Sequence, residues 1–158
     1  MKTGPPIVCL YALLLAANSC TQDDHLLRSE VTRYLQLETE WAPIEAETAR
    51  TIDRILATQF VDESEVRRQV AADSPRINAH LSRIAAYNFR SPEVAALHGQ
   101  YMASWRDLLE GYRRIDQGIH VASASDISMG RRALESWRRS ILDVARELRR
   151  LRDEPLTP

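Results

Sequence analysis

Seven apolar residues near the end of the chain, Ile127, Leu134, Trp137, Ile141, Val144, Leu148 and Leu151, fall on alternating three- and four-residue steps, with Gly130 in the one vacant register. That spacing lines one stripe of a 3.6-residue helix and has no strand-like alternation, so it predicts an amphipathic helix. A helix of this kind is marginal alone and must bury its stripe against other elements. Its polar face is self-paired: Glu135 to Arg139 at i,i+4, and Glu135 to Arg138, Asp143 to Arg146 and Glu147 to Arg150 at i,i+3. Such pairs are worth about 0.2 to 0.5 kcal/mol each and describe a solvated face.

The same period recurs upstream. Ser91-Pro92-Glu93 offers an N-cap, a proline for the first helical position and a first-turn acid. Val94, Leu97, Tyr101, Trp105, Leu108, Tyr112, Ile115 and Ile119 then mark one face. Gly99, Gly111 and Gly118 interrupt this segment, each costing about 1 kcal/mol against alanine. They are read as points of close helix approach, with a ligand gap against the backbone as the alternative and an early helix stop as the other reading of Gly118. Before them, Leu27, Val31, Tyr34, Trp41, Ile44, Ile52, Ile55 and Phe60 give a helix kinked at Pro43. Asp62 with Glu65 opens the next, whose face is Val66, Val70, Ile77, Leu81 and Ile84, and Asp73-Ser74-Pro75 predicts a break within it. The predicted helices are therefore about 24–60, 62–89, 92–120 and 126–152. Four helices on short connections predict an all-α fold, an antiparallel up-down-up-down four-helix bundle.

Ahead of them stand Lys2, an apolar run from Ile7 to Ala17, and Ser19 before Cys20. The run is shorter than the roughly 20 residues needed to cross a bilayer, and it predicts a secretory signal peptide over 1–19. The bundle domain then occupies 20–158. Cys9 lies within the signal, so Cys20 is the single cysteine of residues 20–158. The segment resembles a bacterial lipoprotein signal. That resemblance implies cleavage before Cys20, acylation of its sulfur, and a membrane anchor at the new amino terminus. Thr21, standing where aspartate marks inner-membrane retention in the enteric sorting rule, implies the outer membrane. An ordinary signal peptide cleaved after Ala17-Asn18-Ser19 is the alternative. It would leave an unpaired thiol in an oxidising compartment, where cysteines are usually paired or absent.

After Lys2 the chain has no lysine, and its twenty other basic residues are arginines, which excludes Schiff-base and P-loop lysine chemistry. Residues 21–65 carry 4 Arg against 11 acids, and residues 66–158 carry 16 Arg against 11. The two parts attract, which favours placing the first helix beside the fourth. Acids interleave the arginines of the last segment, a poor stripe for nucleic acid. No Gly-x-Ser-x-Gly, His-Glu-x-x-His or Gly-rich phosphate loop occurs, and the expectation is a non-enzyme; a hydrolase without a signature is a further alternative. Glu-x-x-His and Cys-x-x-Cys-His are also absent, so no cofactor is expected. His98 with Met102, and Asp116 with His120, are i,i+4 pairs that give a metal-binding alternative. Ser104-Trp105-Arg106 recurs as Ser136-Trp137-Arg138. Equal distances from a reversal near Val121 predict a Trp105–Trp137 contact, read as a core layer, with an aromatic ligand pocket rimmed by Arg106 and Arg138 as the functional alternative. The expected partners are the membrane through Cys20 and an envelope protein, with a homodimer as a third case.

Overall fold

A computed structural model describes residues 8–57 and 63–154 of the 158-residue chain, with side chains described from Asp23 onward. It is an all-helical bundle: α1 Val8–Ala57, α2 Glu63–Ile84, α3 Pro92–His120 and α4 Ala124–Asp153, with no strand among the described residues. Phe60 and Asp62 lie outside the described residues, as does the side chain of Cys20.

The boundaries differ from the sequence reading where tertiary contacts outweigh local signals. α1 begins at Val8 and not near 24, since nothing between the apolar run and Leu27 breaks a helix. It also runs through Pro43. α2 continues through Pro75, where a break was predicted. Proline removes one N–H there, but Val70, Asp73 and Ile77 on either side are buried, and the Ser74 hydroxyl donates to the Val70 carbonyl at 2.7 Å. α2 stops at Ile84 and not at 89. Its last turn closes through Ala85 N–H to Leu81 O and Tyr87 N–H to Ile84 O, and the chain then extends towards Pro92.

Local capping sets the other ends. Ser91 is the N-cap of α3, its hydroxyl oxygen accepting from Val94 N–H, and the Glu93 carboxylate accepts from the Ser91 hydroxyl. α4 starts two residues earlier than read because Ser123 caps it, accepting from Asp126 N–H. Gly118 does not end α3, which reaches His120. Ala122, at φ 54°, closes the turn between α3 and α4.

Those two helices meet backbone to backbone. A Cβ on Gly130 would lie 2.6 Å from the Gly111 carbonyl oxygen, and one on Gly111 would lie 2.8 Å from the Ala133 Cβ. Only glycine admits so close a crossing, which accounts for a glycine at the vacant register of α4. Gly99 differs: nothing stands within 4 Å of a Cβ there, and it faces solvent.

Around this crossing the core gathers Tyr34, Trp41, Ile52, Ile77, Trp105, Leu108, Tyr112, Leu134 and Leu148, all essentially solvent-free. α1 packs against α2, α3 and α4, and α2 packs against α3. The charge asymmetry is used more locally than the counts implied. Arg138 of α4 pairs with Asp53 of α1 at 2.6 Å, and Arg76 of α2 reaches Glu47 of α1. Other α4 arginines bind acids one turn away, as in Arg146–Asp143 and Arg150–Glu147. Arg131 spans to the end of α1 and donates to the carbonyls of Ile55 (3.1 Å) and Leu56 (2.6 Å), serving acceptors that a helix terminus leaves open.

Candidate functional site

The densest cluster of chemically capable groups lies inside the bundle, where α1, α2 and α3 meet. α1 contributes Tyr34, Trp41 and Glu45, α2 contributes His80, and α3 contributes His98, Tyr101 and Trp105. All but Glu45 are buried. The positions follow from helix periodicity. In α2, Val66, Val70, Asp73, Ile77, His80 and Ile84 occupy successive three- and four-residue steps on the buried face, so Asp73 and His80 are delivered to the core with their apolar neighbours.

Two hydrogen-bonded chains organise the cluster. His98 Nε2 lies 3.1 Å from the Ile84 carbonyl oxygen, which can only accept, so that nitrogen carries the hydrogen. Nδ1 then accepts from the Tyr34 hydroxyl at 3.2 Å. In the second chain the Tyr101 hydroxyl donates to Glu45 Oε1 at 2.7 Å and accepts from His80 Nε2–H at 3.1 Å. His80 Nδ1 is consequently a bare acceptor, buried without a hydrogen-bond partner. A buried acid of α2, Asp73, is held by Arg76 and by the Tyr112 hydroxyl at 3.0 Å.

Burial governs the protonation of these groups. Desolvation pushes His80 down to about 4, with the Arg83 charge adding to it, and it also lowers His98 against the opposing pull of the Ile84 carbonyl. The same desolvation raises Tyr34 and Tyr101 far above the usual phenol range, with Glu45 adding to both. Glu45 itself is raised by burial, partly offset by the Tyr101 hydrogen bond. Asp73 is raised by burial and restrained by Tyr112. Both histidines are therefore neutral at pH 7, and the phenols act as hydrogen-bond donors, not as bases.

A pH dependence follows. A histidine depressed in the folded state costs nothing above its unfolded value near 6.5. Below it the unfolded chain takes up a proton that the folded chain refuses, so His80 makes stability fall towards pH 4 by about 1.4 kcal/mol per pH unit, and His98 acts in the same direction. Glu45 and Asp73 act oppositely, since acid relieves the penalty on their charged forms. Comparing the wild type with His80→Gln, which keeps a donor towards Tyr101, isolates one contribution. Urea unfolding between pH 6.5 and about 4 should show the variant's slope with pH reduced by about one proton, and equal slopes would refute the assignment to His80.

The aromatic rings form a continuous path. Trp41 stacks on Tyr101 at 5.2 Å between centroids, His80 lies 4.5 Å from Trp105, and Trp105 meets Trp137 edge to face at 5.0 Å and 73°. The Trp105–Trp137 contact leaves no ligand-sized gap between the rings, and both are at most 2% exposed. That contact is the core-layer reading, and the two arginines beside it part company. Arg106 is exposed on α3, and Arg138 lies along α1, bonded to Asp53 and the Ala49 carbonyl. A groove of about 700 Å³ runs between α2 and α3, beside Arg67, Arg113 and Asp116. Its cations are engaged, Arg67 with Asp116 and Arg113 with Glu110, whose carboxyl that pair holds down at about 2.

The candidate metal pairs are also committed elsewhere. His98 spends both nitrogens in the core, and Asp116 binds Arg67. Among the described residues no group of three His, Cys, Asp or Glu side chains is placed to hold a metal ion. No described helix is long and apolar enough to cross a membrane.

Sequence reasoning missed the linking of His80 and Glu45 through Tyr101, the pairing of His98 with Tyr34, and, apart from these, Glu30. Glu30 of α1, 8% exposed, accepts from Arg90 N–H with both oxygens (2.9 and 3.0 Å) and from Ser91 N–H at 2.8 Å. It pins the α2–α3 connection to α1. The signal for these residues was present as polar side chains at positions where the helical rhythm calls for apolar ones. No protein-family model, curated protein or solved structure matches the chain.

Proposed function

We propose that this chain is a lipid-anchored protein of a bacterial envelope, acylated on Cys20 after loss of residues 1–19, whose helical bundle works by binding a protein partner and not by catalysis. The observation that carries the reading is Cys20, the one cysteine after the apolar run, behind Ser19. Two or more acyl chains are what a stable anchor requires. Thr21 favours the outer membrane as the destination. The non-catalytic part of the reading is supported by the polar core, whose histidines, tyrosines and acids are turned towards one another.

The bundle's up-down-up-down order belongs to the same proposal. Partner indices run oppositely for α1 and α2 (Trp41 with His80, Glu47 with Arg76), for α2 and α3 (Asp73 with Tyr112, Ile84 with His98), and for α1 and α4 (Arg28 with Glu154, Asp53 with Arg138). They rise together for α1 and α3, in Tyr34 with His98 and Glu45 with Tyr101. In that order α1 leaves the bundle towards Cys20 at the end carrying the α2–α3 connection.

The test is intact mass and detergent partitioning of the protein expressed in a bacterium, beside Cys20→Ser. The expected result is a diacyl or triacyl adduct on a chain beginning at Cys20, entering the detergent phase, with both properties lost in the variant. An unmodified chain in the aqueous phase overturns the anchor. Crosslinking in the envelope then identifies the partner.

A further inference from the structure

We propose that the outward face of α1 over residues 25–36, with the aromatic end of the α2–α3 connection, lies against an anionic phospholipid surface. This rests on the anchor reading, since Cys20 is what would hold the domain at a bilayer. The face presents His25, Arg28, Thr32 and Arg33 in a shallow hollow whose lining includes no acid. Neither Arg28 nor Arg33 has a carboxylate within ion-pair distance among the described residues. Arg28 instead donates to the Glu154 carbonyl, and the Arg33 guanidinium lies 5.9 Å from the ring centre of Tyr87 and 5.8 Å from that of Phe89.

Both rings are half-buried at the edge of the bundle, and no acid occurs between Asp73 and Glu93. Asp23 and Asp24 line a different hollow, beside Arg90 and Glu93. The hollow on α1 thus carries cations without an acid, and beside Arg33 stand the outer edges of Tyr87 and Phe89, whose other sides pack on Trp41 and on Tyr34 and His98.

Arginine beside tyrosine and phenylalanine is the composition that settles at a headgroup boundary, where phosphates meet the cations and the rings meet the acyl edge. Reach agrees with this. His25 is five residues and Arg33 thirteen residues beyond Cys20, about 7 and 20 Å along a helix. An upright domain would lift Arg33 clear of the headgroups. A reclining one lays the whole face on them, and the loop rings mark the side on which it leans.

The test is arginine footprinting with phenylglyoxal, read by peptide mass, on the purified protein with vesicles of phosphatidylcholine alone or mixed with phosphatidylglycerol. Arg28 and Arg33 should react about fivefold more slowly on the anionic vesicles, as expected for a basic residue held at such a surface, and high salt should restore their reactivity. Exposed Arg106 on α3 should react equally on both. Equal reactivity of Arg33 on the two vesicles overturns the proposal, and so does equal protection by inorganic phosphate alone, which would indicate a site for a free anion. Intact mass of the same sample separates the two ideas: protection without an adduct on Cys20 removes the anchor and keeps the face, and an adduct without protection does the reverse.

Discussion

Gly130→Ala lowers the unfolding free energy by about 3 kcal/mol, whereas Gly99→Ala in the neighbouring helix raises it by up to about 1 kcal/mol. Both exchanges add one methyl group to a helix, and intrinsic propensity favours alanine in each by about the same amount. Surroundings decide the sign. The new Cβ at residue 130 lies 2.5 Å from Ile115 Cγ1 and 2.6 Å from the Gly111 carbonyl oxygen. Ile115 Cγ1 stands one bond from Cβ and can move only by changing rotamer in a packed core, and the carbonyl belongs to the backbone of α3, so the two helices must move apart. That separation loosens the packing of Leu134, Trp105 and Trp137 along the same seam. At residue 99 nothing within 4 Å resists the methyl, and the gain in helix propensity remains. Urea unfolding of the two variants beside the wild type measures both. A loss below about 1 kcal/mol for Gly130→Ala would mean that the crossing is plastic and that glycine is not required there.

Glu30→Ala costs about 2 to 3 kcal/mol, a large effect for a residue that contributes no apolar surface. Its carboxylate satisfies the N–H groups of Arg90 and Ser91 just ahead of the first turn of α3, where the helix dipole is positive. Those donors are exchanged for no partner in the variant, and hydrogen bonds to a charged acceptor are the stronger kind. Glu30→Gln keeps one carbonyl oxygen as acceptor but turns an amide group towards an N–H, so it should recover only part of the loss. Chemical unfolding ranks the three forms. Hydrogen exchange at Arg90 and Ser91 locates the effect, which should be strongest there and weak in the α3–α4 turn. Equal stability of Glu30→Ala and wild type would sink the assignment.

The helices were legible because their signals are local. The apolar rhythm of α4 and the Ser91-Pro92-Glu93 opening of α3 depend on neighbours within one or two turns, and the helices form where those signals stand. Pro75 misled because its cost is local while its compensation is not: Tyr112 from α3 holds Asp73 from across the interface. The Trp105–Trp137 contact was readable from equal distances to a turn, since a hairpin of two helices aligns such residues. The hydrogen-bonded set was not. Glu45, His80 and Tyr101 are scattered over three helices, and their meeting depends on relative rotation and height that one-dimensional spacing does not carry. The fates of the two arginines beside the tryptophans were hidden for a related reason. Arg106 and Arg138 follow their tryptophans identically in sequence, yet one ends in solvent and the other lies on α1.

Arg131 has a bearing on the order in which the chain can become itself. The carbonyls at the end of α1 receive their donors from a residue 75 and 76 positions later, and Arg28 near the start of the bundle meets Glu154, 126 positions away. A polypeptide made from its amino end delivers α1 first and Arg131 late. Until α4 arrives, α1 has an unfinished terminus and an uncovered core face. The first helix to emerge is therefore among the last to be completed, and the interval in between is when a waiting chain would most need another protein to hold it.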